Sequence, residues 1–266
     1  MDLRRLTILT ALLVVLSVAG VLALPFGAQT TVVNSERSPA DTPSSDGALA
    51  GNVTELTITG YSVTQTWQGY FGNVSGTIQL TDANDNVFYN WSVSSPQGEV
   101  YASTNDSIAW SYVQCFNFTA DGTYADDTAQ AGATSLHGKN LTQLESEFNI
   151  SSRDVDGVNE TFSINGTHES GGGFNHSLFY TNSLEFSQGE CLSTHIRGNN
   201  GAITDANFEE VLLYEPTTRA VIFTALLDED VLGFDGKSHD FEMLVLEDGH
   251  GTDTATTTYY FYVELE

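Results

Sequence analysis

WQGYFGNVSGTIQLTDANDNVFYNWSVSSPQGEVYAS, residues 67–103, is the stretch that decides the fold class. It contains two apolar runs, residues 76–80 and 87–93, which are separated by the polar cluster TDANDN. Asn and Asp favour turns because they hydrogen-bond their own backbone and tolerate left-handed conformations. The pattern therefore predicts a β-hairpin. The turn SPQG then leads into a third predicted strand, residues 99–103.

Side chains alternate between the two faces of a strand, so the second run can be divided into an inner and an outer face. Val87, Tyr89, Trp91 and Val93 share one face, which we predict to be the core face. Asn90 lies on the other face and is predicted to point outward. Just before this hairpin, the aromatic residues of the segment WQGYF are predicted to join the core.

The remaining chain repeats the same kind of short, apolar and turn-bounded segment. Further strands are predicted at residues 54–59, 107–118, 211–214, 220–227, 241–246 and 257–265. One short helix is predicted at residues 141–148, where Asn140 and Gln143 match a capping box. These segments predict a mainly β protein, namely an antiparallel β-sandwich or barrel-like ectodomain with one short helix.

The N-terminus predicts export. Arg4 and Arg5 precede an uncharged apolar run from Leu6 to Leu24. A spanning helix needs about 17–25 residues and a signal peptide core about 7–15. We therefore interpret residues 1–25 as a signal peptide or N-terminal transmembrane anchor, and favour an uncleaved hydrophobic helix that binds the membrane. Residues 26–52, rich in Ser, Thr and Pro, are predicted to be a disordered linker, and residues 53–266 a β-rich ectodomain.

The charge balance is strongly acidic. Asp and Glu number 35 against 8 Lys and Arg, for a net charge of −27. Such a charge opposes compaction at low ionic strength, and this repulsion is largely screened in molar salt. The composition therefore indicates a halophile. It also excludes nucleic acid as a partner, because phosphate contacts need Lys and Arg.

The chain has two cysteines, Cys115 and Cys191. Disulfides persist outside the cytoplasm, so we predict that these two residues are bonded. Sequons for N-glycosylation are dense between residues 52 and 175. The candidate sites are Asn52, Asn73, Asn90, Asn105, Asn117, Asn149, Asn159, Asn165 and Asn175. Asn140 also begins a sequon, but a helix-capping role makes it a poor glycan site.

Known catalytic and metal-binding motifs were not found in the sequence. Asp154, Asp156 and Asn159 resemble part of a calcium loop but lack its closing Glu, and we interpret them as a turn. His168, Glu169 and His176 do not form a zinc motif. We therefore predict no catalytic residue, no cofactor and no metal.

Four segments together resemble a family of secreted or cell-surface proteins of archaea, including haloarchaea, to which no function has been assigned. They are WQGYFGNVSG and GEVYA in the opening stretch, GFDG with HDFEML at residues 233–244, and YYFYVEL at residues 259–265. The resemblance covers most of the chain beyond residue 55. It implies an exported, β-rich surface protein and supplies no catalytic residue.

The leading functional hypothesis is a non-enzymatic exported surface glycoprotein with a cell-envelope, adhesion or filament role. Its expected place is the extracellular face of the membrane or the medium, with self-association or other envelope proteins as partners. One alternative is a secreted hydrolase or lyase that uses paired carboxylates. Another is a pilus-like filament subunit in which residues 30–33 donate a strand to a neighbour.

Overall fold

The computed structural model describes residues 24–39, 42–93, 96–116, 139–151, 154–162, 175–196, 198, 207–248 and 256–266. Within these ranges the chain is mainly β with antiparallel pairing, as predicted. The strands are β1 (Phe26–Gly27), β2 (Trp67–Gly72), β3 (Thr77–Thr81), β4 (Val87–Ser92), β5 (Gly98–Ser103), β6 (Gln114–Cys115), β7 (Phe179–Thr181), β8 (Leu184–Phe186), β9 (Ser193–Ile196), β10 (Phe208–Glu215), β11 (Ala220–Leu226), β12 (Val231–Leu232), β13 (Ser238–His239), β14 (Phe241–Leu246) and β15 (Tyr260–Leu265).

Seven of these strands form one large antiparallel sheet. Its order is β1-β15-β5-β11-β10, and β10 then pairs with both β6 and β9. The remaining strands form four two-stranded pairs, β2–β14, β3–β4, β7–β8 and β12–β13. The strand interactions of β5 with β11 and β15 bring the middle of the chain together with its C-terminus.

The centre of the large sheet is covered on both faces, since all but one residue of β10 and all but one residue of β11 are buried. On one face Leu212 and Phe223 belong to the same cluster as Met243 and Val245 of β14. The β2–β14 pair therefore forms a second layer on that face. On the other face Val211, Leu213 and Ile222 pack with Phe179 and Phe186, which are supplied by the β7–β8 hairpin.

Two α-helices are described, α1 (Leu141–Glu147) and α2 (Val158–Thr161). The predicted helix is α1, and its predicted capping box is present. The Asn140 side chain accepts a hydrogen bond from the Gln143 amide, and the Gln143 side chain accepts one from the Asn140 amide. Leu144 turns inward and is fully buried in the larger core cluster.

The C-terminal strand lies inside the large sheet. All six residues of β15 pair with β5, and Tyr262 and Val263 also pair with β1 on the opposite edge. Tyr259, Phe261 and Val263, at alternate positions of the predicted strand 257–265, pack against the larger cluster. The first residues of the predicted linker therefore belong to the sheet, whereas the rest of residues 26–52 contains no strand or helix in its described part.

Two predicted strands are wrong. Residues 54–59 form no strand, and Leu56 and Ile58 are exposed, because their alternating pattern finds no neighbouring strand to pair with. Residues 107–118 were predicted as one long strand. In their described part they instead form a 3-10 turn, Trp110–Tyr112, followed by the short β6. The turn places Trp110 against Tyr101 and Tyr262, with ring centroids 4.9 and 5.1 Å apart.

The predicted N-terminal hydrophobic helix lies almost entirely outside the described residues. In the part of the chain that the structure describes, no helix has both the length and the apolar character needed to cross a membrane. The His168–Glu169 pair also lies outside the described ranges.

Candidate functional site

The β3–β4 hairpin presents an exposed apolar surface on paired strands. Ile78 lies opposite Trp91, and Leu80 lies opposite Tyr89, so these four side chains share one face. The rings of Tyr89 and Trp91 lie 4.8 Å apart between centroids. The pairs Thr77–Ser92 and Gln79–Asn90 occupy the opposite face, which is polar.

The apolar face of this hairpin is open to solvent. Ile78 is 41% exposed, Leu80 51%, Tyr89 56% and Trp91 50%. The predicted alternation holds for Tyr89 and Trp91, but Val87 pairs with Thr81 and so lies on the polar face. Val93 is half-buried. The predicted core face is therefore wrong for Val87, Tyr89 and Trp91, which are all exposed. The reason is that β3 and β4 pair with each other and project as a separate two-stranded sheet.

The hairpin is anchored to the body at its base. Gly76 packs so closely on the side chain of Leu265 that an added Cβ would clash with it. At the other end, the Asp82 carboxylate accepts hydrogen bonds from the amides of Asn84 and Asn86 and closes the turn. Between Leu80 and Thr81 the pairing shifts by one residue, so Phe88 forms a bulge.

A pair of buried carboxyl groups lies at the same end of the large sheet as the hairpin base. Glu99 on β5 and Glu264 on β15 are direct cross-strand partners. The Tyr101 hydroxyl donates to Glu264 Oε2 at 2.7 Å and lies 3.4 Å from Glu99 Oε2. The Asn182 amide donates to both Glu264 oxygens, at 3.0 and 3.1 Å.

Burial raises the pKa of the Glu99 carboxyl well above its usual range, and the charge of Glu264 adds to this. Burial also raises the pKa of Glu264, which the hydrogen bond from Tyr101 partly offsets. Glu99 is only 3% exposed and Glu264 is fully buried. Thr181 and Asn182 of the β7–β8 hairpin lie over this cluster, so a substrate would have to displace that hairpin to reach the two carboxyls. The arrangement therefore fits a structural role better than acid–base catalysis.

Two of the segments that carry the resemblance, residues 67–76 and 233–244, contact each other. Phe71 of β2 contacts both Phe234 and His239, with each pair of ring centroids 4.8 Å apart. His239 Nε2 lies 3.0 Å from Asp235 Oδ1, and the Phe234 amide donates to Glu242 at 2.8 Å. These contacts fix the conformation of the loop between β12 and β13 and hold it against β2.

The predicted glycosylation sites differ in their surroundings. Asn52, Asn73, Asn90, Asn159 and Asn175 are exposed. Asn105 is half-buried and its Oδ1 accepts from the Ser107 amide, while Asn149 donates to both carboxylate oxygens of Asp248. Asn117 and Asn165 lie outside the described residues.

Cys115 and Cys191 form the predicted disulfide, across a sequence separation of 76 residues. It ties β6 to the segment before β9, and Cys191 is buried among Val211, Leu213 and Phe186. The neighbouring His176 accepts from the Cys191 amide at 2.9 Å and is fully buried. Burial lowers the pKa of His176, so this histidine is a neutral packing residue.

No group of three or more potential metal ligands is assembled among the described residues. Asp156 lies in a turn, whereas Asn159, which was predicted to belong to the same turn, lies in α2. Asp154 accepts from the Ser151 amide at 2.6 Å, and the backbone carbonyl of Asp156 accepts from the Trp67 indole at 2.6 Å. A small cleft of about 240 Å³ lies beside α1, and its lining includes Lys139, Glu147 and Asp248.

Sequence reasoning missed both the exposure of the hairpin face and the Glu99–Glu264 pair. The sequence shows that each Glu interrupts an apolar strand. It does not show that the two residues are partners, because that depends on strand order. No protein-family model matches this chain, and neither a curated protein nor a solved structure is significantly similar to it.

Proposed function

We propose that this chain is a non-enzymatic exported surface glycoprotein of a halophile that acts by protein–protein association in the cell envelope. The observation that carries the proposal is the β3–β4 hairpin, whose four-residue apolar face is about half exposed on each side chain. Exposed apolar patches of this kind mark interaction surfaces. The hairpin is therefore assigned as the contact element.

Three further features support the proposed location outside the cytoplasm. The Cys115–Cys191 disulfide is in keeping with an oxidising environment. The exposed sequons, including Asn90 on the polar face of the hairpin, leave the apolar face free of glycan. The net charge of −27 suits molar salt. On this view the N-terminal apolar run tethers a sandwich-like ectodomain to the outer face of the membrane.

The carboxylate-dependent hydrolase is the second candidate, because Glu99 and Glu264 do converge. Their burial argues against it. A Glu99→Gln variant distinguishes the two functions, since an enzyme would lose activity toward its substrate while an association protein would keep its complexes.

The proposal can be tested in the producing cells by chemical cross-linking of intact envelopes. The wild-type chain is expected in high-mass cross-linked species. A Leu80→Ser, Trp91→Ser double variant should run mainly as the free chain. The matched control is Gln79→Ser, on the polar face of the same strand, which should behave as wild type. Equal cross-linking of the double variant and wild type would exclude the hairpin as the contact element.

A further inference from the structure

The N-terminal apolar run of the sequence leads directly into the large sheet. The run ends at Leu24, and β1 begins two residues later. β1 pairs with β15, and the Ala28 amide adds a hydrogen bond to the Phe261 carbonyl at 2.9 Å. Two residues span at most about 7 Å, so the end of the apolar run lies at the edge of the sheet.

The segment predicted to be a linker comes after this contact along the chain. A flexible linker over residues 26–52, placed between an anchor and a domain, would separate the two by about 30 Å. In the structure, residues 28–66 leave β1 and return to β2, and their described part contains no strand or helix. They are a connection within the domain and do not separate it from the apolar run.

The direction of β1 determines which end of the sheet lies nearest the apolar run. β1 is antiparallel to β15, so Leu24 lies towards the end of β15 at which Leu265 pairs with Gly98 of β5. The neighbouring Gln97 is exposed, and its carbonyl accepts from the Glu266 amide. Adjacent strands are about 4.8 Å apart, which places Gln97 on the order of 10–15 Å from Leu24. We call this end of the sheet, with Leu24, Gln97 and Leu265, the tether end.

The turn between β10 and β11 lies at the opposite end of the same sheet. Leu226 of β11 pairs with Glu99 near the tether end, and β11 runs from there to Ala220. At about 3.4 Å per residue, the strand separates the two ends by about 20 Å. The exposed Thr217 lies beyond Ala220, in the turn. It is therefore a reference position far from the tether end.

The tether end is compatible with a lipid surface in both its apolar side chains and its charge. Leu24 and Phe26 are exposed, and contact with the boundary between headgroups and acyl chains would remove them from water. The net charge of −27 would repel anionic headgroups, but in molar salt this repulsion acts over only about 3 Å.

We infer that the tether end of the large sheet lies directly on the lipid surface and is held there by the pairing of β1 with β15. The partner is the headgroup region of the membrane that holds the apolar run. The inference rests on the tether in the proposed function and adds the orientation of the ectodomain. The turn between β10 and β11 lies farther from the lipid, and residues 28–66 do not act as a stalk.

Fluorescence quenching from the lipid headgroups measures this orientation in the full-length chain, reconstituted into vesicles in molar KCl. Gln97→Cys and Thr217→Cys each carry one fluorophore. Both native cysteines are bonded, so a maleimide dye reacts only at the new position. The vesicles contain lipids with a nitroxide on the headgroup, which quenches a fluorophore only at short range. Because about 20 Å of strand separates the two ends, quenching should be at least about threefold stronger at Gln97→Cys than at Thr217→Cys.

Two substitutions of Ala28 test whether β1 holds the sheet in this position. Ala28→Pro removes the amide that donates to the Phe261 carbonyl, whereas the matched control Ala28→Gly keeps it. In the Gln97→Cys chain, Ala28→Pro should lower the quenching to the level of Thr217→Cys, and Ala28→Gly should leave it unchanged. Both variants should remain with the vesicles. Unchanged quenching in Ala28→Pro would overturn the role of β1.

Weak and equal quenching at the two labelled positions, in a chain that stays with the vesicles, would overturn the inference and leave the tether standing. A chain that does not stay with the vesicles, or that cells release without residues 1–23, would instead exclude the tether. The inference would then be wrong together with that part of the proposed function. Association through the hairpin is decided separately, by the cross-linking of intact envelopes.

Discussion

Glu99 and Glu264 face each other across β5 and β15, and the Tyr101 hydroxyl lies between them at 3.4 and 2.7 Å. Two buried carboxyls at cross-strand positions cannot both ionise without a large cost. One of the two carboxyls therefore remains protonated in the folded chain. We expect Glu99 to hold it, because both burial and the charge of Glu264 raise its pKa.

The first prediction concerns pH. The folded chain keeps the Glu99 proton to a higher pH than the unfolded chain, whose Glu ionises at about pH 4.3. The associated stability is full below that pH and is lost as the pH rises through the raised pKa. Glu99→Gln should therefore flatten the decline of the melting temperature between pH 5 and pH 8, by about 2–4 °C for each kcal/mol recovered. Parallel declines in both proteins would contradict this.

The second prediction concerns the disulfide. Replacement of both Cys115 and Cys191 by Ala should lower the free energy of unfolding by about 4–5 kcal/mol, because a long loop in the unfolded chain is no longer closed. Urea denaturation in molar KCl measures the difference. Labelling of the unfolded, unreduced wild type should find no free thiol, and reaction at both positions would contradict the bond.

The third prediction concerns salt. The melting temperature should rise steeply between low salt and molar KCl, since a net charge of −27 repels itself less when the screening length falls to about 3 Å. A thermal melt at several KCl concentrations tests this. A melting temperature that does not change across the series would contradict the interpretation of the chain as halophilic.

The fourth prediction concerns Asn140. Its side chain accepts from the Gln143 amide, so Asn140→Ala should destabilise the fold by about 1 kcal/mol. For the same reason, glycopeptide mass spectrometry should find Asn140 unmodified while the exposed Asn73 and Asn90 carry glycan. Asn149 serves as an intermediate case, because a glycan on its amide would disturb the contact with Asp248. Equal stability of Asn140→Ala and wild type in urea denaturation would contradict the capping role.

The fifth prediction concerns β15. Deletion of residues 257–266 removes a strand that pairs with β5 and β1 and leaves the Tyr101 hydroxyl without Glu264. The truncated chain should not fold, as judged by near-ultraviolet circular dichroism and protease resistance. Deletion of Glu266 alone removes one backbone hydrogen bond, to the Gln97 carbonyl, and should leave the fold intact.

Local patterns were sufficient for much of the fold. The β10–β11 hairpin, the α1 capping box and the β3–β4 turn each depend on residues close in sequence, and all three are present. The Cys115–Cys191 bond followed from having a single pairing to consider. Strand order could not be predicted, because the positions of β15 between β1 and β5 and of β14 beside β2 depend on contacts distant in sequence.

Which strand faces are buried was harder to predict from the sequence than where the strands lie. Val87, Tyr89 and Trp91 have the alternation of a core strand, but periodicity alone does not show whether anything covers the face. Residues 54–59 failed for a related reason, since Leu56 and Ile58 alternate correctly and find no pairing partner. The Glu99–Glu264 pair could not be foreseen without the register between β5 and β15.

The pairing of β1 with β15 also has a mechanical consequence. Phe26 and Gly27 are held by two residue pairs and by the Ala28 amide on the Phe261 carbonyl, at 2.9 Å. A pulling force on an N-terminal tether would act on this short β1–β15 pairing before it acts on any part of the core. Its release would free the chain between residues 28 and 66, a length on the order of 130 Å when extended. The domain would then move away from its tether under tension while its core stays folded.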